Sequence, residues 1–166
     1  MNKDDIKIVL VSDNHMTRHG LDYVRSAHSD ADYFIHCGDS EMPKYEMGGF
    51  ACVQGNNDWF GEYPPRLILE IGMHRILVTH GHRDFFYGRF DMLADKARAF
   101  DCDIVCFGHT HIYFDETVNG IRLLNPGSIW RNRDGSKPSY MRINLQGKKI
   151  ITKRMTYEIN SLKNAK

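Results

Sequence analysis

Three features of the sequence predict an α/β fold built on mixed β-sheets. Apolar runs with the character of buried strands alternate with amphipathic stretches over the first two thirds of the chain. The last third turns to hairpin patterns, and no linker, charge block or fixed-period repeat divides the 166 residues. Ile6 to Val11 is almost continuous Ile, Val and Leu, the pattern of a strand buried on both faces. Leu21, Val24 and Ala27 follow at helical spacing. Tyr33 to His36 and Phe50 to Val53 are short strands, each ending at glycine-containing polar segments. Leu67 to Ile71 and Arg75 to Thr79 flank Gly72-Met73-His74 as a hairpin, and Phe90, Leu93, Ala97 and Phe100 mark a second helix. Ile104 to Phe107 is one more buried strand. Tyr113 to Val118 and Ile121 to Leu124 then enclose Asn119-Gly120, a strong hairpin signal. Tyr140 to Leu145 and Lys149 to Met155 enclose Gln146-Gly147 in the same way. One domain over residues 1–157 is expected, with a polar tail over 158–166.

Composition narrows the class. Hydrophobic content of 42% and charged content of 26% suit a globular protein, and the net charge of +1 makes nucleic acid an unlikely partner. No apolar run approaches the roughly 20 residues needed to cross a bilayer, so no membrane partner is expected. The start of the chain meets a strand at once, without a signal-peptide pattern. The four cysteines form no CxxC pair and lie in or beside apolar stretches, as buried reduced thiols would. A cytoplasmic location is the expectation.

Five of the apolar runs end in residues able to hold a metal. They lead to Ser12-Asp13-Asn14-His15, to Gly38-Asp39, to Gly55-Asn56-Asn57-Asp58, to His80-Gly81-His82 and to Gly108-His109-Thr110-His111. Loops leaving the C-terminal strand ends of an α/β sheet converge on one edge, where ligands bind. Gathering so many polar groups there is costly unless a cation is shared among them. Mixed nitrogen and oxygen donors without thiolate suit Mn, Fe, Co, Ni or Zn, and the number of donors suits two ions. Each residue also has a plainer reading: Gly-Asp after a strand is commonly a turn, and one His-x-His is a weak signal. His36 reads as a strand or core histidine, and His19, His28 and His74 as solvated. The ordered set of five ends is far more specific than any member.

In that order these motifs resemble the calcineurin-like metallophosphoesterase superfamily, in particular its small bacterial and archaeal YfcE-like phosphodiesterase branch. The resemblance runs from about Ile6 to Tyr157 and takes in Asn125-Pro126-Gly127-Ser128. It implies a four-layer α/β/β/α sandwich of two mixed sheets flanked by helices. It also implies two divalent ions, manganese first among the choices, one held by Asp13, His15, Asp39 and His111. The other is held by Asp39, Asn56, His80 and His109, with Asp39 bridging. A hydroxide between the ions would attack the phosphorus of a small phosphate ester. Many members of the superfamily carry His directly after the motif Asn; here Asn57 stands there, which leaves the general acid open. His82, two residues beyond His80, is a candidate for substrate contact or, equally, for an outer role behind the ligands. Arg131, Arg133 and Lys137 follow the Asn125–Ser128 loop and could hold a substrate phosphate, with a solvated turn as the plainer and preferred reading, and Ser128 and Cys37 read as structural. Three rivals share parts of this reading: a nuclease of the superfamily, a non-catalytic scaffold such as the retromer subunit of the same fold, and a hydrolase of non-phosphate esters.

Overall fold

The structure, a computed structural model, describes residues 4–59 and 62–158. The tail expected over 158–166 therefore lies, apart from Glu158, outside the described residues. Among the described residues the elements follow one another as β1 (Ile6–Val11), α1 (Arg18–Ala27), β2 (Tyr33–His36), β3 (Phe50–Cys52), β4 (Arg66–Ile71) and β5 (His74–Thr79). Then come α2 (Phe90–Ala99), β6 (Ile104–Cys106), β7 (Tyr113–Val118), β8 (Ile121–Pro126), β9 (Ser139–Gln146) and β10 (Lys149–Thr156). A single 3-10 turn, Lys44–Glu46, interrupts the connection from β2 to β3, where no α-helix forms.

The strands make two five-stranded sheets, in the orders β10-β9-β1-β2-β3 and β4-β5-β6-β8-β7. Each has a parallel centre: β1 with β2 and β2 with β3 in one, β5 with β6 and β6 with β8 in the other. Antiparallel strands complete both, among them the three predicted hairpins. The middle hairpin turns on Asn119 and Gly120, both left-handed with φ of 49° and 81°. That conformation explains the Asn-Gly pair.

Side chains alternate across each strand, and this sorts the core into layers. Ile8, Leu10 and Ile35 of the first sheet meet Ile76, Val78 and Ile104 of the second in a central core. Val9 and Val11 point the other way, onto Leu21 and Val24 of α1. Leu77 and Val105 meet Leu93, Ala94 and Ala97 of α2. Full burial of such side chains contributes about 1.5–3 kcal/mol for each larger aliphatic one. The result is the four-layer α/β/β/α sandwich.

Two histidines depart from expectation. His28 and His74 are buried, not solvated. The His28 ring meets the Tyr140 hydroxyl at 2.7 Å, and His74 bridges Asp103 (2.6 Å) and the Gly147 carbonyl (2.9 Å). These partners are distant in sequence and invisible to local context. His19 is exposed and His36 is core, as read. Cys37, Cys52, Cys102 and Cys106 are free and buried, and burial pushes the Cys106 thiol up to about 12.

Candidate metal centre

The parallel strands deliver their C-terminal loops to one end of the sandwich, where hydrogen bonds extend the strand pairing outward. Asp13 N–H donates to Gly38 O (3.1 Å), His15 N–H to Asp39 O (3.1 Å) and Gly108 N–H to His80 O (3.1 Å). Asp13, His15, Asp39, His109 and His111 all have left-handed backbones, with φ from 45° to 71°. Each such residue costs on the order of 1 kcal/mol or more, and strain of this kind concentrates at functional sites. Close approach of the chain compounds it. A Cβ on Gly55 would lie 2.1 Å from Asp39 Oδ1, and one on Gly108 would lie 2.6 Å from Asp13 Oδ2. Only glycine lets the loops close around these two carboxylates.

Asp13, His15 and His111 offer donor atoms within 4.8 Å of one another, as do Asp13, Asp39 and His80. Asp39 Oδ2 lies between the clusters, 3.9 Å from His15 Nε2 and 3.4 Å from His80 Nε2. Asn56 Oδ1 joins the second cluster, 2.9 Å from His80 Nε2 and 3.1 Å from His109 Nδ1. All seven residues singled out in the sequence thus come together. His82 stands beside them, its ring 5.4 Å from that of His80, outside both clusters.

Outer partners fix how the rings face. His80 Nδ1–H donates to Cys37 O (2.8 Å), His111 Nδ1–H to Arg131 O (2.9 Å) and His15 Nδ1–H to Glu41 Oε1 (2.7 Å). Each turns its Nε2 towards the cluster, the nitrogen that can ligate a cation once it carries no proton. His15 Nε2 and His111 Nε2 face each other at 3.1 Å. Asp13 Oδ1 is buried without a hydrogen-bond partner among the described residues, 3.3 Å from His111 Nε2. Inward-facing ring nitrogens around a buried, unpartnered carboxylate oxygen suit a cation, and imidazoles oriented by carbonyl or carboxylate are the usual companions of a bound metal. The donor set fits divalent ions.

The electrostatics agree. Burial alone would raise the Asp39 carboxyl, but His80 and the Asn57 N–H groups hold it well below the usual range. Asp13 is likewise held low, with burial opposed by His80 and His111. Burial alone would depress the His80 imidazole, yet Asp13 and Asp39 raise it to about 9. Burial and the neighbouring His80 lower His82 and His109. The two carboxylates make this end of the sandwich a place for positive charge.

Of the supporting residues, Glu41 and Asp58 carry no role in the sequence reading, whereas Ser128 is read there as structural. Asp58, quoted above only as the end of a motif, is buried and accepts three backbone hydrogen bonds: from Gly55 (2.6 Å), Asp39 (2.9 Å) and Glu41 (2.8 Å). Its place three residues after Gly55 is the one signal that points to it. Asn57 donates through N and Nδ2 to the two oxygens of Asp39, at 2.8 and 2.9 Å. Ser128 Oγ donates to Asp13 O (2.7 Å), and Asn125 Nδ2 to Gly108 O (3.1 Å), so the loop after β8 is a structural brace.

Fold and site together define a metallophosphoesterase. The sequence model of the calcineurin-like phosphoesterase superfamily domain matches residues 6–148, and the chain belongs to that family. A probable metallophosphoesterase of Bacillus subtilis, YsnB, is 33% identical over 144 residues, covering 85% of each chain. A predicted phosphoesterase from Streptococcus pneumoniae superposes with a TM-score of 0.86 at 29% identity, covering 93% of this chain and 91% of that one. Vacuolar protein sorting 29 of Cryptosporidium parvum superposes with a TM-score of 0.81, covering 95% and 94%. At 22% identity that last likeness speaks for the fold alone.

Proposed function

We propose that the chain, through a working domain of residues 1–157, is a phosphodiesterase using two divalent ions, manganese first among Mn, Fe, Co, Ni and Zn. The observation that carries this reading is the buried, unpartnered Asp13 Oδ1 set among inward-facing imidazoles. One ion is assigned to Asp13, His15, Asp39 and His111, the other to Asp39, Asn56, His80 and His109. When bound, the ions supply Lewis-acid charge that activates water and neutralises phosphoryl oxygens. The residues themselves orient these groups: Cys37 O, Arg131 O and Glu41 set the imidazoles, while Asn57 and Asp58 hold the Asp39 loop. His82, half-buried with its ring 5.4 Å from that of His80 and 6.1 Å from that of His109, is assigned to contact with the substrate phosphate. Asn57 is turned onto Asp39 and brings no proton donor of histidine type to a leaving oxygen. Esters with stable leaving groups are therefore the favoured substrates. The buried free thiols suit a reducing compartment, the cytoplasm.

The test combines metal content with turnover. Protein prepared without chelator and reconstituted with Mn should hold about two ions per chain. It should also hydrolyse bis(p-nitrophenyl) phosphate faster than an alkyl monoester. Failure to hold divalent metal refutes the site. Full metal content with no turnover of any phosphate ester favours the scaffold, and faster turnover of the alkyl monoester refutes the preference for diesters.

A further inference from the structure

Beside His111 opens a cleft of about 690 Å³, lined also by Trp130, Arg131, Asn132, Arg133 and Ser136. That volume lies in the range of ~300–1,000 Å³ typical of small-ligand clefts. Its wall is the loop directly after the Ser128 brace, and this loop is well held. Ser128 Oγ accepts from Trp130 N (3.1 Å) and Arg131 N (2.9 Å), and Asn132 Oδ1 accepts from Ser128 N (2.7 Å). Asn132 Nδ2 closes the loop onto Lys137 O (2.8 Å) and Ser139 Oγ (3.0 Å).

What this held loop displays is cationic. Among the described residues no carboxylate lines the cleft. The nearest in sequence, Asp134, is turned onto its own loop, accepting from Ser136 N (3.0 Å) and Oγ (2.5 Å). Arg131 is exposed and its guanidinium has no hydrogen bond or ion pair among the described residues. Arg133 reaches the mouth of the metal cluster, where Nη1 donates to His109 O at 3.3 Å. Two forks set on one wall without a carboxylate partner are suited to an oxyanion that neither makes alone. Trp130 adds a planar face: its ring centre is 5.1 Å from that of His15, and the residue is 40% exposed.

We propose that this cleft receives the part of the substrate beyond the scissile phosphate, and that this part carries a second phosphate and a planar ring. The substrate class is then a small nucleotide diester with a further phosphate, held by Arg131 and Arg133 and stacked on Trp130. Of the two readings of Arg131 and Arg133, this takes the phosphate-holding one over the solvated turn and adds the second phosphate and the ring, and it rests on the phosphodiesterase reading above.

Two chromogenic diesters that differ only in the second anion test it: thymidine 5′-(p-nitrophenyl phosphate), and the same compound with a 3′-phosphate. Both release p-nitrophenolate, so the chemical step is matched. Charge-assisted hydrogen bonds predict a kcat/KM ratio of ~10–100 in favour of the bisphosphate compound for the Mn-loaded protein. Arg131→Gln and Arg133→Gln should each reduce that ratio, and the double variant should bring it close to one. The ratio is taken within each protein, so incomplete folding or loading cancels. Thymidine 3′,5′-bisphosphate, titrated calorimetrically, should bind the double variant more weakly by a similar factor. A ratio near one in the unaltered protein, or a ratio that the double variant leaves in place, overturns the subsite. Turnover of bis(p-nitrophenyl) phosphate with no preference for the second phosphate removes the subsite alone. Absence of turnover for every ester takes down both readings.

Discussion

Replacing Asp58 is the most informative perturbation of the positioning network, because this residue touches none of the proposed ions and yet joins two of their loops. Its carboxylate accepts N–H groups from Gly55 at 2.6 Å, Asp39 at 2.9 Å and Glu41 at 2.8 Å. Asp58→Ala leaves all three donors without an acceptor in a buried position. Hydrogen bonds to a charged group contribute about 1.5–3 kcal/mol each, but three on one carboxylate are not additive, so a loss of ~3–5 kcal/mol is expected. Asp58→Asn keeps one acceptor oxygen and should lose ~2 kcal/mol. Urea unfolding with an unchanged m-value measures both. The loss should also appear at the metal, since Asp39 and Asn56 sit on the loops that Asp58 ties together. Removal of such an outer partner typically weakens metal affinity by ~10–100-fold. A variant within about 1 kcal/mol of the parent, with undiminished Mn affinity, would refute the positioning role.

Asp39→Ala should release more metal and activity than His109→Ala or His111→Ala, because its carboxylate lies between both clusters; retention of full metal content, read by elemental analysis, would remove the bridging assignment. Gly108→Ala puts a methyl group 2.1 Å from Ser12 Oγ and 2.6 Å from Asp13 Oδ2. It should lower diester turnover at least ~10-fold and stability by about 1–3 kcal/mol; wild-type values for both would show that the loop yields. His36 supplies a pH test. Burial holds its imidazole near 4, against an ordinary 6.5, with Nε2–H on Asn14 Oδ1 (2.8 Å) and Gly38 N–H on Nδ1 (3.0 Å). The unfolded chain takes up this proton first, so stability is complete above pH 6.5 and falls as pH drops towards 4. At ~1.4 kcal/mol per pH unit the loss reaches about 3 kcal/mol. In chelated protein, urea unfolding of His36→Asn should show a shallower decline over that window than the parent; parallel curves would exclude the effect.

The strands and the donor set were legible because each depends on neighbours in sequence. Apolar runs such as Ile6 to Val11 announce a parallel centre, and the glycines beside Asp39, Asn56 and His109 mark where the chain must bend or come close. Roles that come from across the fold were not legible. Asp58 acts on backbone of another loop, 19 residues from Asp39 in one case. Glu41 orients His15 from 26 residues away, and His28 is buried against a tyrosine 112 residues further on. The left-handed backbone of Asp13 and His111 has no local signature either, since neither residue is a glycine in a recognisable turn.

The sheet order also dictates when the protein can be finished. The first sheet takes β1, β2 and β3 from the beginning of the chain and β9 and β10 from its end, while all of β4 to β8 lies in the other sheet. Ile6 pairs with Leu145, so one side of β1 stays without its partner until β9 has left the ribosome. Until then β1 is an open edge, able to pair wrongly with any strand that passes. Asp13 is translated early, yet the brace that holds its carbonyl, Ser128, comes from the segment that leads into β9. The cluster therefore begins at Asp13 and is braced by Ser128 only 115 residues further along, so that sheet and site are completed together.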